Sequence, residues 1–377
     1  MVTTTPRTLL AALLLAPGAA ACDRPAAAPV IDIAPTGDTL TMHSGPITEA
    51  AWLGGQRWAV LGPDDEKVWL VDFADRSTTV LGRPGTSYRN PFGLFSQADT
   101  LYLNDWGLGR TTVWSATGAL LDSVAATSLT RGALPHARDR RGHFYAAVRP
   151  RPGPDGSGNR DSAAVLRMDG RLAVGDTVAP LSPFDIEEVF GDAGRRFERK
   201  VFSGEDAWGV LPDGVLWIAR VNHNRVWLFG PGGSSHRGPM LPDPVYPVTR
   251  ADRQAFLNRF PPALRQTAER LPFAEIKPPF VAGFTEGGEG GTIWLQKSRR
   301  LSDSVQVYHR VGPDGKLEAL VRLPLTGRIL AASPSHLLVA KPVTRDEGAG
   351  VKLWQFANPP LPGPQASPEM SSATLPK

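Results

Sequence analysis

Arg220, Lys297 and Lys341 are far apart in the chain, yet each stands three residues after a bulky apolar residue in a short β-like segment: LWIAR, IWLQK and LLVAK. In three further segments of the same kind that position holds Leu61, Asp105 and Val148, with Arg149 one step beyond Val148. If the segments are equivalent strands, the cations form a crescent around part of one rim, near Arg299, Arg300 and an arginine-rich stretch at 249–271. Such a crescent suits an anionic ligand: a carboxylate, an acidic glycan or a phosphate-bearing envelope component. The competing reading is that long cations extend from strand ends into water without a partner. Asp105 and Trp106, in NDWGLGR, depart from the basic pattern, and His223 follows Arg220 closely; all three join the candidate rim.

Other chemistry finds less support. The seven histidines (His43, His136, His143, His223, His236, His309, His336) fall in different segments, and none pairs at metal-ligand spacing on an expected helix. No GxSxG nucleophile elbow occurs. GGEGG at 287–291 lacks the lysine and the following helix that a phosphate cradle needs, so it reads as a turn. No catalytic residue can be named, and binding is a better reading than catalysis.

The elements that must position these residues are short strands. Thr100 to Val124, TLYLNDWGLGRTTVWSATGALLDSV, reads as three strands with alternating polarity separated by turns at Gly107, Gly109 and Gly118. The rest of the chain carries weaker copies. Second-strand marks stand at Trp58, Tyr102, Tyr145, Trp217, Trp294 and Leu338, and third-strand marks at Trp69, Trp114, Leu166, Trp227, Tyr308 and Trp354. The gaps between paired marks are 11, 12, 21, 10, 14 and 16 residues, so the hairpin is constant while its loop grows in three units. The sixth unit lacks an outer strand, and an orphan strand at Asp38–Ser44 can supply it. That pattern predicts an all-β, six-bladed propeller whose first strand closes the last blade and removes a free edge. The recurring tryptophans then belong between blades rather than in a sugar site.

Two insertions interrupt the ring. Thr249 to Leu271 begins with a threonine cap and Asp252 three residues on, and is broken at Pro261-Pro262, which predicts a short helical hairpin between blades 4 and 5. Pro180 to Ser203 runs from acidic DIEE to basic RRFERK and reads as a loop with a helical turn. Both enter on the face that also carries the lengthened loops, which marks it as the working face.

Glycine-proline starts, LY or LW second strands and Asp-Gly turns, as in PDG at 212–214 and 313–315, give the chain a similarity to the NHL and TolB-like six-bladed propellers, especially envelope lipoproteins of that architecture. The resemblance covers about Asp38 to Phe356 and implies a fold more than a function. Lactonase-like members hold a metal at the channel mouth with acidic and amide side chains. What the resemblance implies here is an alternative: a lactonase or lyase with Glu49, Asn104 and Asp105 around a divalent cation such as Ca²⁺. The fourth blade offers only Ala219 and Arg220 at the corresponding strand end, so no cofactor is expected.

The two ends bear on location. Residues 1–21 carry one cation, Arg7, the apolar run LLAALLLA and small residues, the layout of a secretory signal too short to span a bilayer. Cys22, the single cysteine, follows three alanines and resembles the lipidated first residue of a bacterial lipoprotein, although Ala19 stands where that motif usually has leucine. Ordinary cleavage nearby is the alternative. Lipidation would leave no free thiol and no disulfide. Residues 22–37 then form a tether, 38–357 the propeller and 358–377 a disordered tail. A net charge of +4 from scattered Lys and Arg gives no nucleic-acid footprint. The expected protein is an exported monomer held to the membrane by a lipid alone, binding an envelope protein, a peptide or an anionic glycan.

Overall fold

In the computed structural model, which describes residues 28–33, 36–149, 163–173, 175–191, 194–324, 327–343 and 350–361, each of the six units is a four-stranded antiparallel sheet. Blade 2 shows the plan: Pro91–Gln97 innermost, then Thr100–Asp105, Arg110–Ser115 and Leu120–Ala125 outward. Its second strand carries Leu101, Leu103 and Asp105 towards one neighbouring blade and Tyr102 towards the other, so the strand is buried on both faces and loses simple alternation. The outermost strand, packed on one side only, is almost wholly exposed.

The core is divided into six apolar clusters, each filling the joint between two neighbouring blades. Tyr102, Tyr145, Trp217, Trp294 and Leu338 all project toward the following blade. Trp58 is out of phase and turns back to blade 6, where its Nε1 donates to Gln355 Oε1 at 2.9 Å. The run RWAVLG is apolar at successive positions, so its sequence does not reveal the phase.

Closure follows the expected route. Asp38–Met42 pairs antiparallel with Gly350–Ala357 and completes blade 6 around Arg328–Ala332 and His336–Val343. Leu40 and Met42 enter the joint with blade 1. The segment expected as a tether is partly structured: Val30–Asp32 adds a fifth, parallel strand to the outer edge of blade 5, with Arg322 gripping both oxygens of Asp32 at 2.7 and 2.6 Å. Ile33 is buried in the joint between blades 5 and 6 because the chain must pass there to reach blade 6. The expected tail also begins late, since Asn358 is buried and bonded to blades 5 and 6. Cys22, the leader and residues 362–377 lie outside the described residues.

The insertion at 249–271 is the predicted helical hairpin, Arg250–Leu257 and Pro262–Glu269. Thr249 and Asp252 form a reciprocal capping box, and Pro262 opens the second helix at a position where its missing N–H costs nothing. The insertion at 180–203 differs from expectation. It is a two-stranded β-hairpin, Ile186–Gly191 against Gly194–Arg199, with no helical turn among its described residues. Gly194 at φ 99° supplies the left-handed residue of its tip, and Glu188 pairs with Arg195 at 3.2 Å. The acidic-to-basic polarity of the segment thus reports facing strands.

Candidate functional site

Each inner strand runs away from the face that carries the second-strand ends and the connections between blades. This upper face holds both insertions, and it places the candidate rim residues as follows.

Arg220 does not stand free. Its Nη1 donates to Asp206 Oδ2 at 2.8 Å, both side chains are buried, and the guanidinium lies 4.9 Å from the Trp227 ring centre. Asp206 also accepts the backbone N–H groups of Ser182 and Val221. Lys297 is likewise enclosed, donating to Asp243 Oδ2 at 2.5 Å, and burial pushes its ammonium pKa down despite the neighbouring carboxylate. Asp105 is fully buried and accepts N–H groups from Arg89, Asn90 and Leu108. The equivalence read from sequence is therefore real in blades 2, 4 and 5, but its purpose is different: each side chain braces a second-strand end against the connection from the preceding blade. Lys341 is half-buried on blade 6, on its own part of the rim. His223 lies exposed, stacked 5.9 Å from Trp227. Trp106 is 65% exposed, with its ring edge-on to Phe92 at 5.3 Å.

Glu49 and Asn104 do converge, flanking Gly93. Glu49 accepts the Leu94 N–H at 2.9 Å, and burial pushes its carboxyl pKa up, partly offset by that bond and by Arg328. Asn104 spends both ends of its amide, donating to Pro135 O and accepting from Thr111 Oγ1, each at 2.8 Å. With Asp105 committed to three backbone amides, these residues do not fit a metal. Among the described residues no group of three or more His, Cys, Asp or Glu side chains is placed to hold one.

The unbalanced charge lies instead between the insertions and blade 5, which sequence spacing did not single out. The chain after the β-hairpin runs beside the helical hairpin: Val201 N donates to Pro272 O at 2.8 Å and Ala274 N to Val201 O at 2.9 Å. Phe202, Phe256, Phe260 and Phe273 form an aromatic joint there, with ring centres 5.1–6.2 Å apart. Lys277 fastens the helices to blade 5 by donating to Asp252 Oδ1 at 2.6 Å and to Arg299 O at 2.8 Å. At Gly204 a Cβ would come within 2.4 Å of both Val221 and Pro278, so only glycine allows the return strand to pass.

A cleft of about 330 Å³ remains beneath this arch. Phe202, Phe280 and Val281 give it apolar walls, and Arg199, Arg259, Arg299 and Arg300 stand around it. Two of its carboxylates are engaged: Glu205 pairs with Arg149 and Arg199 at 3.5 and 3.3 Å, and Asp252 pairs with Lys277. Arg149 and Arg199 both stack on Phe184, 3.8 and 4.3 Å from its ring centre. Among the described residues no carboxylate forms an ion pair with Arg259, Arg299 or Arg300. An apolar cleft with an excess of guanidinium groups can take an anion bidentately while burying an adjoining apolar group.

No family model matches the chain, and no curated protein matches it by sequence. Solved structures do match in shape. A member of the DUF4221 family from Bacteroides vulgatus aligns over 87% of this chain and 95% of its own, at 7% identity and a TM-score of 0.48. A streptogramin B lyase aligns over 86% and 97%, at 8% identity and a TM-score of 0.43. A gluconolactonase from Xanthomonas campestris aligns over 85% and 89%, at 12% identity and a TM-score of 0.45. These likenesses are too distant to bear on ligand or chemistry.

Proposed function

We propose that this chain is an exported, lipid-anchored propeller that binds an anionic segment of a peptide, glycan or partner protein at the cell envelope. The observation that carries the reading is the upper-face cleft, where no guanidinium of Arg259, Arg299 or Arg300 forms an ion pair with a carboxylate among the described residues, while Glu205 and Asp252 are already taken. The leader pattern and Cys22 support export and anchoring, and among the described residues no helix is long and apolar enough to cross a membrane.

The test uses two immobilised polyanions, poly-glutamate and polygalacturonate, at physiological salt. The triple variant Arg259→Glu, Arg299→Glu, Arg300→Glu should lose at least tenfold in retention on the preferred matrix with its melting temperature unchanged. Equal retention of variant and parent on both matrices would refute the cleft as the binding site. Anchoring is tested separately: Cys22→Ala should move the protein from the membrane fraction to the soluble exported fraction.

A further inference from the structure

The propeller has a second cavity, on the face opposite the insertions. It occupies the lower part of the central channel, has a volume of about 270 Å³, and is walled by the inner strands of all six blades. Five blades contribute a ring to it: Trp52, Phe95, His136, Trp208 and Phe284, from blades 1 to 5 in order, with Leu330 at the corresponding place in blade 6. Trp52, Phe95, Trp208 and Phe284 are half-buried, and His136 is exposed. Phe95 and Phe284 are backed on one face by parallel rings, Tyr102 at 4.9 Å and Trp294 at 6.3 Å, which fixes their planes. His136 and Trp208 meet edge to face at 5.7 Å.

The polar groups of the cavity divide into two sets. Its charged side chains are engaged: Arg138 donates to Tyr102 Oη and to Gly142 O, and the Glu286 carboxylate accepts from Trp294 Nε1 and Asn358 Nδ2 at 3.0 Å. Of its uncharged groups, Trp52 Nε1 donates to Gly55 O at 3.0 Å and Thr285 Oγ1 accepts from Trp217 Nε1 at 2.8 Å, while the His136 imidazole, the Trp208 indole N–H, the Ser96 hydroxyl and the Gln97 amide make no hydrogen bond with a described residue. Surrounding protein lowers the His136 pKa, and the neutral form of the ring offers one donor and one acceptor. A concave site with aromatic walls and a few free polar groups is the usual form of a small-molecule site.

We propose that the lower channel binds a small uncharged ring compound bearing both hydrogen-bond donors and acceptors, stacked against the aromatic girdle and read by His136 and Trp208. Arg138 and Glu286 bring one charge of each sign to the cavity, and both side chains are already hydrogen-bonded, so an ion meets no net opposite charge there. An aromatic phenol-amide and a monosaccharide share this chemistry, and the experiment separates them.

Saturation-transfer NMR and tryptophan fluorescence are measured on the full chain with 4-hydroxybenzamide and methyl β-glucopyranoside, alongside the charged controls 4-hydroxybenzoate and 4-hydroxybenzyltrimethylammonium. At least one neutral probe should bind, at least tenfold tighter than either control, and either Trp208→Leu or His136→Gln should weaken it at least tenfold with the circular dichroism spectrum unchanged. The cleft triple variant should leave channel binding intact, which distinguishes failure here from failure of the upper-face reading. Absence of binding by both neutral probes, equal binding of a charged control, or persistence of binding in both channel variants would overturn the assignment.

Discussion

The Lys297 ammonium lies 2.5 Å from Asp243 Oδ2, and Asn224 Nδ2 reaches the same oxygen at 2.7 Å, so one carboxylate ties the end of a blade 5 strand to a loop of blade 4. Removing one partner strands the other charge in the interior. Asp243→Ala should therefore destabilise the protein by about 3–5 kcal/mol, whereas the double variant Asp243→Leu, Lys297→Met should recover most of that loss. Denaturant midpoints of the three proteins decide it, and a double variant no more stable than the single would refute the brace.

His309 faces the same pair, its Nε2 3.4 Å from Asp243 Oδ1, and burial followed by the Lys297 charge pushes its pKa down to about 4. A depressed imidazole contributes stability above its unfolded pKa of about 6.5, and that contribution is lost as pH falls toward the folded value. Stability should drop between pH 6.5 and 4 by up to about 3 kcal/mol from this group. Urea titrations of parent and His309→Gln at both pH values should show a smaller drop in the variant.

Asp105 gives a prediction of the opposite kind from a ligand-binding residue. Asp105→Ala leaves three backbone N–H groups without their acceptor and should cost about 2–4 kcal/mol, while Asp105→Asn, which keeps one acceptor, should cost less. Thermal melts rank the three. Retention on polyanion should be unchanged wherever the variants are folded.

The closing strand is tested at Leu40, buried between blades 6 and 1. Leu40→Ala should cost about 2–5 kcal/mol, against less than about 0.5 kcal/mol for the exposed Thr41→Ser on the same strand. Equal melting temperatures for the two variants would mean that the strand does not hold the ring.

Much of this was legible in the sequence because a propeller repeats one local pattern, and large residues recur where blades meet. Trp217 and Trp294 announce their joints without ambiguity. Trp58 does not, because an unbroken apolar run has no phase. The strand-end position of Arg220, Lys297 and Asp105 was also legible, but whether a cation there is free depends on Asp206 and Asp243, which lie 14 and 54 residues away. No spacing rule reports such partners. The channel lining was hidden for a related reason: Trp52, Phe95, His136, Trp208 and Phe284 reach one cavity only through the folding of five separate sheets. The hairpin at 186–199 escaped because its second strand, GRRFER, is mostly charged and neither strand alternates apolar with polar, so pairing holds them.

The N-terminal segment first borders blade 5 at Val30–Asp32 and then completes blade 6 at Asp38–Met42. A mechanical load applied upstream of Val30 would therefore meet two fasteners in series. The short outer strand, with its Asp32–Arg322 clamp, must slide or peel before tension reaches the strand that keeps the ring shut. Tension entering from the N terminus would thus spend itself on the outer clamp before it reached the closing strand.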